Sequence, residues 1–195
     1  MGNLQKKIHR KIWYIITQLY YRKSFKEIGK NSILFRPVQI DHESTIVIKE
    51  NVSIYHSAWL MGNDQVEVSM YIGAGTTIGH YAHLVAKKKV CLGENVLVAD
   101  RVFITDCTHE YQDIHTPISQ QPVKSIKDVS IGADSWIGEN ACIIGASVGR
   151  HCVIGANTVV IKDIPDYSIA VGSPAVIVKK YDFDLRQWVS VRTEK

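Results

Sequence analysis

Residues 131–160 read IGADSWIGENACIIGASVGRHCVIGANTVV. Ile131, Ile137 and Ile143 stand six residues apart, one step shortens to five, and Val148, Ile154 and Val160 resume the six-residue spacing. Glycine follows four of these six aliphatic residues: Ile131, Ile137, Val148 and Ile154. An amphipathic helix repeats near 3.6 residues and a half-buried strand near 2, so neither element writes this pattern.

The same period runs upstream. Ile48, Ile54, Leu60, Val66, Ile72, Ile78, Leu84 and Val90 form a series at steps of six; the register slips by two and resumes at Leu92, Val98 and Ile104. Leu34, Ile40 and Ile46 keep the spacing, two residues out of register with Ile48. A six-residue repeat marks a parallel β-helix, in which three short strands and three corners make one triangular coil. One aliphatic side chain per hexad points inward, and glycine after it allows the chain to bend where coils approach closely. Thr76, Ala82, Val96, Val102, Ser135, Ala141 and Thr158, at the fifth position, suit a cramped inner corner. Stacked coils satisfy each other's backbone groups, so only the two ends need caps.

Residues 4–30 follow a different period. Leu4, Ile8, Ile12, Ile15, Ile16 and Leu19 recur at three- and four-residue steps among Lys and Arg, which predicts an amphipathic helix with Gly29 as a stop. Two uses fit such a helix: packing on its own domain or a subunit, or resting on an anionic membrane through its aromatic and basic residues. The apolar run Ile12–Tyr21 is too short to span a bilayer, which needs about 20 residues. Segment 1–30 carries eight Lys or Arg against Glu27 alone, so of the net +4 the remainder of the chain holds −3. Nucleic-acid binding wants a basic face on the body itself and is therefore set aside. Cys91, Cys107, Cys142 and Cys152 show no paired spacing, consistent with reduced thiols. With no signal peptide in view, the expected location is cytoplasmic, peripheral at the inner membrane face if the helix is a membrane anchor.

The chain divides into an N-terminal helix (1–30), a β-helix (31–165) interrupted by an excursion loop (110–128), and a C-terminal cap and tail (166–195). Long excursions from a rigid scaffold tend to carry function. The run Asp106-Cys107-Thr108-His109-Glu110-Tyr111 leads into this one.

The sequence resembles the hexapeptide-repeat acyltransferases over about residues 31–181. The branch it is most similar to is that of the maltose and galactoside O-acetyltransferases and their relatives in lipopolysaccharide and capsule O-acetylation. The residues carrying this are Ile131-Gly-Ala-Asp-Ser-Trp-Ile-Gly138, Ile154-Gly-Ala-Asn-Thr-Val-Val-Ile-Lys-Asp-Ile-Pro165 and Val171-Gly-Ser-Pro-Ala-Val-Ile-Val178. The resemblance implies an all-β, left-handed parallel β-helix, a homotrimer with sites between subunits, and acetyl-CoA as donor to a sugar hydroxyl. It implies no metal. His109 matches the family's catalytic base, a role for which imidazole suits because its pKa lies near working pH. His83 is the implied acceptor contact; Asp106 would orient His109 or contact the sugar, with a turn-forming role equally open. Trp136, Ala156, Ile161, Lys162 and Lys179 match positions that hold the CoA arm. Ile161 stands where the family often has Thr, and Val176 where it often has Arg or Lys. Cys107 adjoins the site, but nothing near it in sequence lowers its pKa, so a covalent route ranks second. Other readings on this scaffold are a zinc enzyme resembling the gamma carbonic anhydrases, for which His80, His83, His109 and His115 are candidate ligands, N-acetylation of an amino sugar, and a non-catalytic repeat scaffold.

Overall fold

The computed structural model describes residues 2–191; the last four residues of the expected C-terminal tail lie outside it. The hexads fold as the period predicts, into a parallel β-solenoid whose three faces are sheets of five, nine and six strands. We name these faces A, B and C in the order the chain visits them. Face A begins at Glu27–Ile28, face B at Ile33–Leu34 and face C at Gln39–Asp41. The first coil thus starts at Glu27, four residues before the boundary expected from the sequence.

Each strand buries the side chains that point into the prism. Face A stacks Ile28, Ile48, Ile72, Leu92 and Ile131, continued by bridges to Val148 and Ile164. Face B stacks Leu34, Ile54, Ile78, Val98, Ile137, Ile154 and Ala170. Face C stacks Ile40, Leu60, Leu84, Ile104, Ile143 and Val160. Nearly all these side chains are excluded from solvent, and transfer of their apolar area out of water is the main stabilising term.

The seven small corner residues are all buried. Several also tie neighbouring coils together. Ser135 Oγ donates to the Gly149 carbonyl and accepts from Cys152 N–H; Thr76 Oγ1 does the same between Gly93 and Val96. At the A-to-B corner Asn31, Asn51, Gly75 and Asn95 take positive φ, which Gly and Asn accept more readily than other residues. Gly79 is required for another reason: a Cβ there would lie 2.5 Å from the Ala99 carbonyl carbon of the next coil.

Two features of the hexad reading change. Val66 is not an inward residue. It sits half-buried in the corner 62–69, where the Gly62 and Ser69 backbone N–H groups donate to Asp41 and Thr45 carbonyls. The register slip at Leu92 is a longer corner at Ala86–Lys89 followed by a three-residue strand, Val90–Leu92, whose first and third side chains both point inward. A strand alternates its faces every residue, so i and i+2 both reach the core.

The N-terminal helix is shorter than expected, Asn3–Leu19, and a turn of 3-10 helix follows at Tyr21–Lys23. It ends where Tyr21 and Phe25 turn into the core. The helix covers the open edge of the first coil. Buried Thr17 accepts the Leu34 N–H at 3.0 Å, and Gln18 Nε2 donates to the Ser32 carbonyl at 3.2 Å. At the other end Ser168–Val171 pairs antiparallel with Val176–Asp182, which pairs with Gln187–Ser190, closing the solenoid with a small β-meander. Among the described residues no helix is long and apolar enough to cross a membrane.

Candidate active site

His109 stands on a hairpin that interrupts the fourth coil. After Thr105 closes its strand on face C, Cys107–His109 leaves the prism and pairs antiparallel with Val123–Ser125, with His109 opposite Val123. The expected loop is therefore two strands flanking residues 110–122, and its ordered part begins at Cys107. Its interior is self-supporting. Gln121, almost fully buried, donates from Nε2 to the carbonyls of Asp113 and Thr116, both at 2.8 Å. Lys124 Nζ lies 2.7 Å from Glu110 Oε2, and the hydrogen bond from Lys124 holds the Glu110 carboxyl below its ordinary value. On its return the chain packs Ile126 over Gly145, and Lys127 pairs with Asp163 at 2.5 Å. These contacts fix the direction in which the hairpin projects. The His109 side chain itself is exposed and has no hydrogen-bond partner among the described residues.

Asp106 immediately precedes the hairpin strand Cys107–His109. It is wholly buried, and its carboxylate accepts the backbone N–H groups of Lys87 (2.7 Å), Lys88 (2.6 Å) and Lys89 (2.7 Å) in the corner of the preceding coil. Three N–H donors on one carboxylate make an anion nest that takes up three of its about four acceptor positions. Asp106 thus makes the turn contacts that were one of its expected uses, tying the 87–89 corner to the root of the hairpin that carries His109.

His83 lies on the outer surface of face C, in register with Trp59 and Phe103. Its ring stacks on Trp59 at 4.2 Å between centroids and tilts against Phe103 at 5.2 Å. Trp59 Nε1 donates to Asp41 Oδ2 at 2.9 Å, anchoring this aromatic ladder one coil further down. His83 Nε2 is buried without a partner, and burial pushes the imidazole pKa down. The ladder escapes hexad reading because its residues face outward, yet Trp59, His83 and Phe103 are spaced by about one coil each and could be sought by that period.

The five positions expected to hold the CoA arm are distributed over the last coils. Trp136, Val153, Ile169 and Lys179 occupy one row across face B, and Trp136 lies beside Leu97, each about half exposed. Exposed Ala156 follows the face B strand Val153–Ile154, at the B-to-C corner. Exposed Ile161 and Lys162 follow the face C strand Val159–Val160, on the same C-to-A edge from which the His109 hairpin springs, two coils away. The single chain therefore brings Trp136 and Lys179 onto one surface and Lys162 onto the edge of His109, without gathering all five.

Cys107 is half-buried beside Thr105 Oγ1, and burial pushes its thiol pKa up, the opposite of what a nucleophile needs. Among the described residues no three His, Cys, Asp or Glu side chains come together as a metal-binding group.

Comparison with known proteins agrees with this architecture. The family model described as the hexapeptide repeat of succinyl-transferase matches residues 128–162. The putative lipopolysaccharide biosynthesis O-acetyl transferase WbbJ of Escherichia coli K12 is 31% identical over 185 residues, covering 89% of this chain and 88% of that protein. The probable acetyltransferase Rv3034c of Mycobacterium tuberculosis is 43% identical over 105 residues, covering 53% of this chain; the match spans only 34% of that longer relative. Among solved structures, AntD, an N-acyltransferase from Bacillus cereus in complex with dTDP and 3-hydroxybutyryl-CoA, superimposes with a TM-score of 0.71 at 18% identity, over 87% of this chain and 90% of that one. The last likeness concerns the fold. The near full-length match to WbbJ, joined to the hexad solenoid and its interrupting hairpin, makes this chain a member of the hexapeptide-repeat acetyltransferase family.

Proposed function

We propose that the chain transfers an acetyl group from acetyl-CoA to a hydroxyl of a sugar or glycan used in surface polysaccharide synthesis, with His109 as general base. The observation that carries this reading is the state of His109: an imidazole with no hydrogen-bond partner among the described residues, exposed at the base of a braced hairpin. The name of WbbJ, a relative matched over nearly its whole length, supports a lipopolysaccharide-type acceptor.

The step needs no acyl-enzyme. His109 takes the proton of the acceptor hydroxyl as its oxygen bonds to the thioester carbonyl carbon. The C–S bond then breaks, and the CoA sulfur leaves with the proton as the thiol. Proton transfer by a positioned side chain contributes about 10²–10⁴-fold. The exposed pair Leu97 and Trp136, with Lys179 in the same row, offers an apolar bed and a cation for the pantetheine and phosphates. His83 would meet the acceptor through the face C ladder. The same reading takes the working form as a homotrimer, since residues dispersed over separate edges of one prism can converge in a cleft between copies.

Release of CoA from acetyl-CoA, measured against a panel of sugars and glycan intermediates, tests the proposal. Acceptor-dependent turnover should fall by about 10²-fold or more in His109→Ala and His109→Asn while acetyl-CoA affinity by calorimetry is kept. Undiminished turnover in either variant, or wild-type protein that does not bind acetyl-CoA, would refute it. Light scattering that gave the mass of one 21.9 kDa chain would remove the trimer.

A further inference from the structure

The N-terminal helix packs with the wrong face for a helix that belongs wholly to its own domain. Thr17 and Gln18 cap the first coil, and His9 stacks on Phe35, so these contacts with the solenoid are made by polar or amphipathic residues. Of the aliphatic stripe read from the sequence, Ile16 is half-buried, and the rest points the other way. Leu4, Ile8, Ile12, Ile15 and Leu19, at steps of four, four, three and four, are 71, 51, 49, 45 and 66% exposed. Residues at these spacings share one side of a helix, so the five form a continuous apolar strip on the outside of the molecule. Scattered exposed aliphatics need no explanation, but an aligned row of five does.

Cations flank the strip on one side. Lys7, Arg10 and Lys11, with Tyr14, line a groove between the helix and Asn31 and Ile33 of the first coil. Among the described residues no carboxylate pairs with any of these three. The charge contrast selects the occupant. The first thirty residues are +7 and the rest of the chain −3, so two copies meeting strip to strip would bring like charges together. A surface that is apolar below and anionic above suits both halves at once.

We propose that this outer face of the helix is a docking surface for an anionic phospholipid bilayer. The helix lies in the interface plane, with the aliphatic strip among the acyl chains and Lys7, Arg10 and Lys11 against headgroup phosphates. Amphipathic helices with basic polar flanks bind membranes in this way. Each cation near such a surface contributes about 1 kcal/mol, or about fivefold in affinity. The assignment is independent of the acetyl-transfer reading, because none of these residues lies on the His109 hairpin.

Cosedimentation of the full chain with vesicles tests it. The vesicles are phosphatidylcholine alone, or phosphatidylcholine with phosphatidylglycerol. The wild type should pellet with the anionic vesicles and release as salt is raised. Combined Ile8→Gln, Ile12→Gln and Ile15→Gln, which keeps good helix formers at exposed positions, should weaken binding at least about tenfold with an unchanged melting temperature. Lys7→Gln with Lys11→Gln should weaken it about 25-fold at low salt. Failure of the wild type to bind anionic vesicles, or equal binding by the triple variant, overturns the proposal. So does a triple variant whose only change is a smaller assembly mass in light scattering, which would make the strip a contact between copies.

Discussion

Asp106 and Lys88 join two coils at the root of the hairpin that carries His109: the buried Asp106 Oδ2 accepts the Lys88 backbone N–H at 2.6 Å. The flanking N–H groups of Lys87 and Lys89 complete the nest. Asp106 immediately precedes the strand Cys107–His109, so whatever holds Asp106 also sets where His109 emerges.

Asp106→Ala should therefore lower stability by about 2–4 kcal/mol, since it removes a buried charged acceptor from three backbone N–H groups. Urea unfolding measures that loss. Turnover should fall with little change in acetyl-CoA affinity, because His109 is displaced rather than removed. Asp106→Asn, which keeps the shape but only part of the accepting capacity, should fall between wild type and Ala on both measures. Equal stability in all three proteins would sink the positioning role.

A second expectation concerns pH. Burial lowers the His83 pKa below its ordinary 6.5, and burial with the neighbouring His80, His9 and Arg36 lowers that of His56. Between the depressed and ordinary values the unfolded chain binds more protons, so stability rises with pH there. It should be complete above about pH 6.5 and decline as the solution is acidified toward the folded pKa values. Denaturant midpoints at pH 7.5 and pH 5.5 should separate less in His83→Phe than in wild type. An unaltered separation would show that His83 is not part of the effect.

Thr17→Val tests the cap. The substitution keeps volume but leaves the Leu34 N–H, buried at the edge of the first coil, without its 3.0 Å acceptor. A loss of about 1–3 kcal/mol is expected. Hydrogen exchange should localise the loosening to the first coil, leaving the later coils protected.

Within the core, Leu84→Ala and Ile104→Ala empty adjacent sites in the face C stack. Each should cost about 2–5 kcal/mol by thermal or chemical unfolding. The pair in combination should depart from additivity, because the two cavities adjoin.

Much of this molecule was legible because hexad spacing is a consequence of coil geometry. Ile131, Ile137 and Ile143 mark three faces of one coil, and any chain carrying that period over many hexads has one way to bury it. Where the sequence was misread, a local rule was overridden by packing. Val66 kept the six-residue spacing but fell in an extended corner. The helix stripe Leu4–Leu19 has helical period yet turns outward at all but Ile16, because periodicity identifies an apolar side without saying what that side meets. Asp106 reads equally as a site residue or a turn former, and its turn contacts, the three amides of Lys87–Lys89, lie seventeen to nineteen residues away in sequence.

The sequence by itself determined the solenoid, the interruption before Ile131, the place of His109 at its mouth and the charge carried by the first thirty residues. These are properties of spacing and composition, which survive without coordinates. Tertiary structure alone decided that the interruption is a braced hairpin, that His83 is walled between Trp59 and Phe103, and that the basic helix presents its aliphatic strip outward. Each of those depends on residues brought together from different coils, and contact between coils follows from the rise of the stack rather than from any neighbour along the chain.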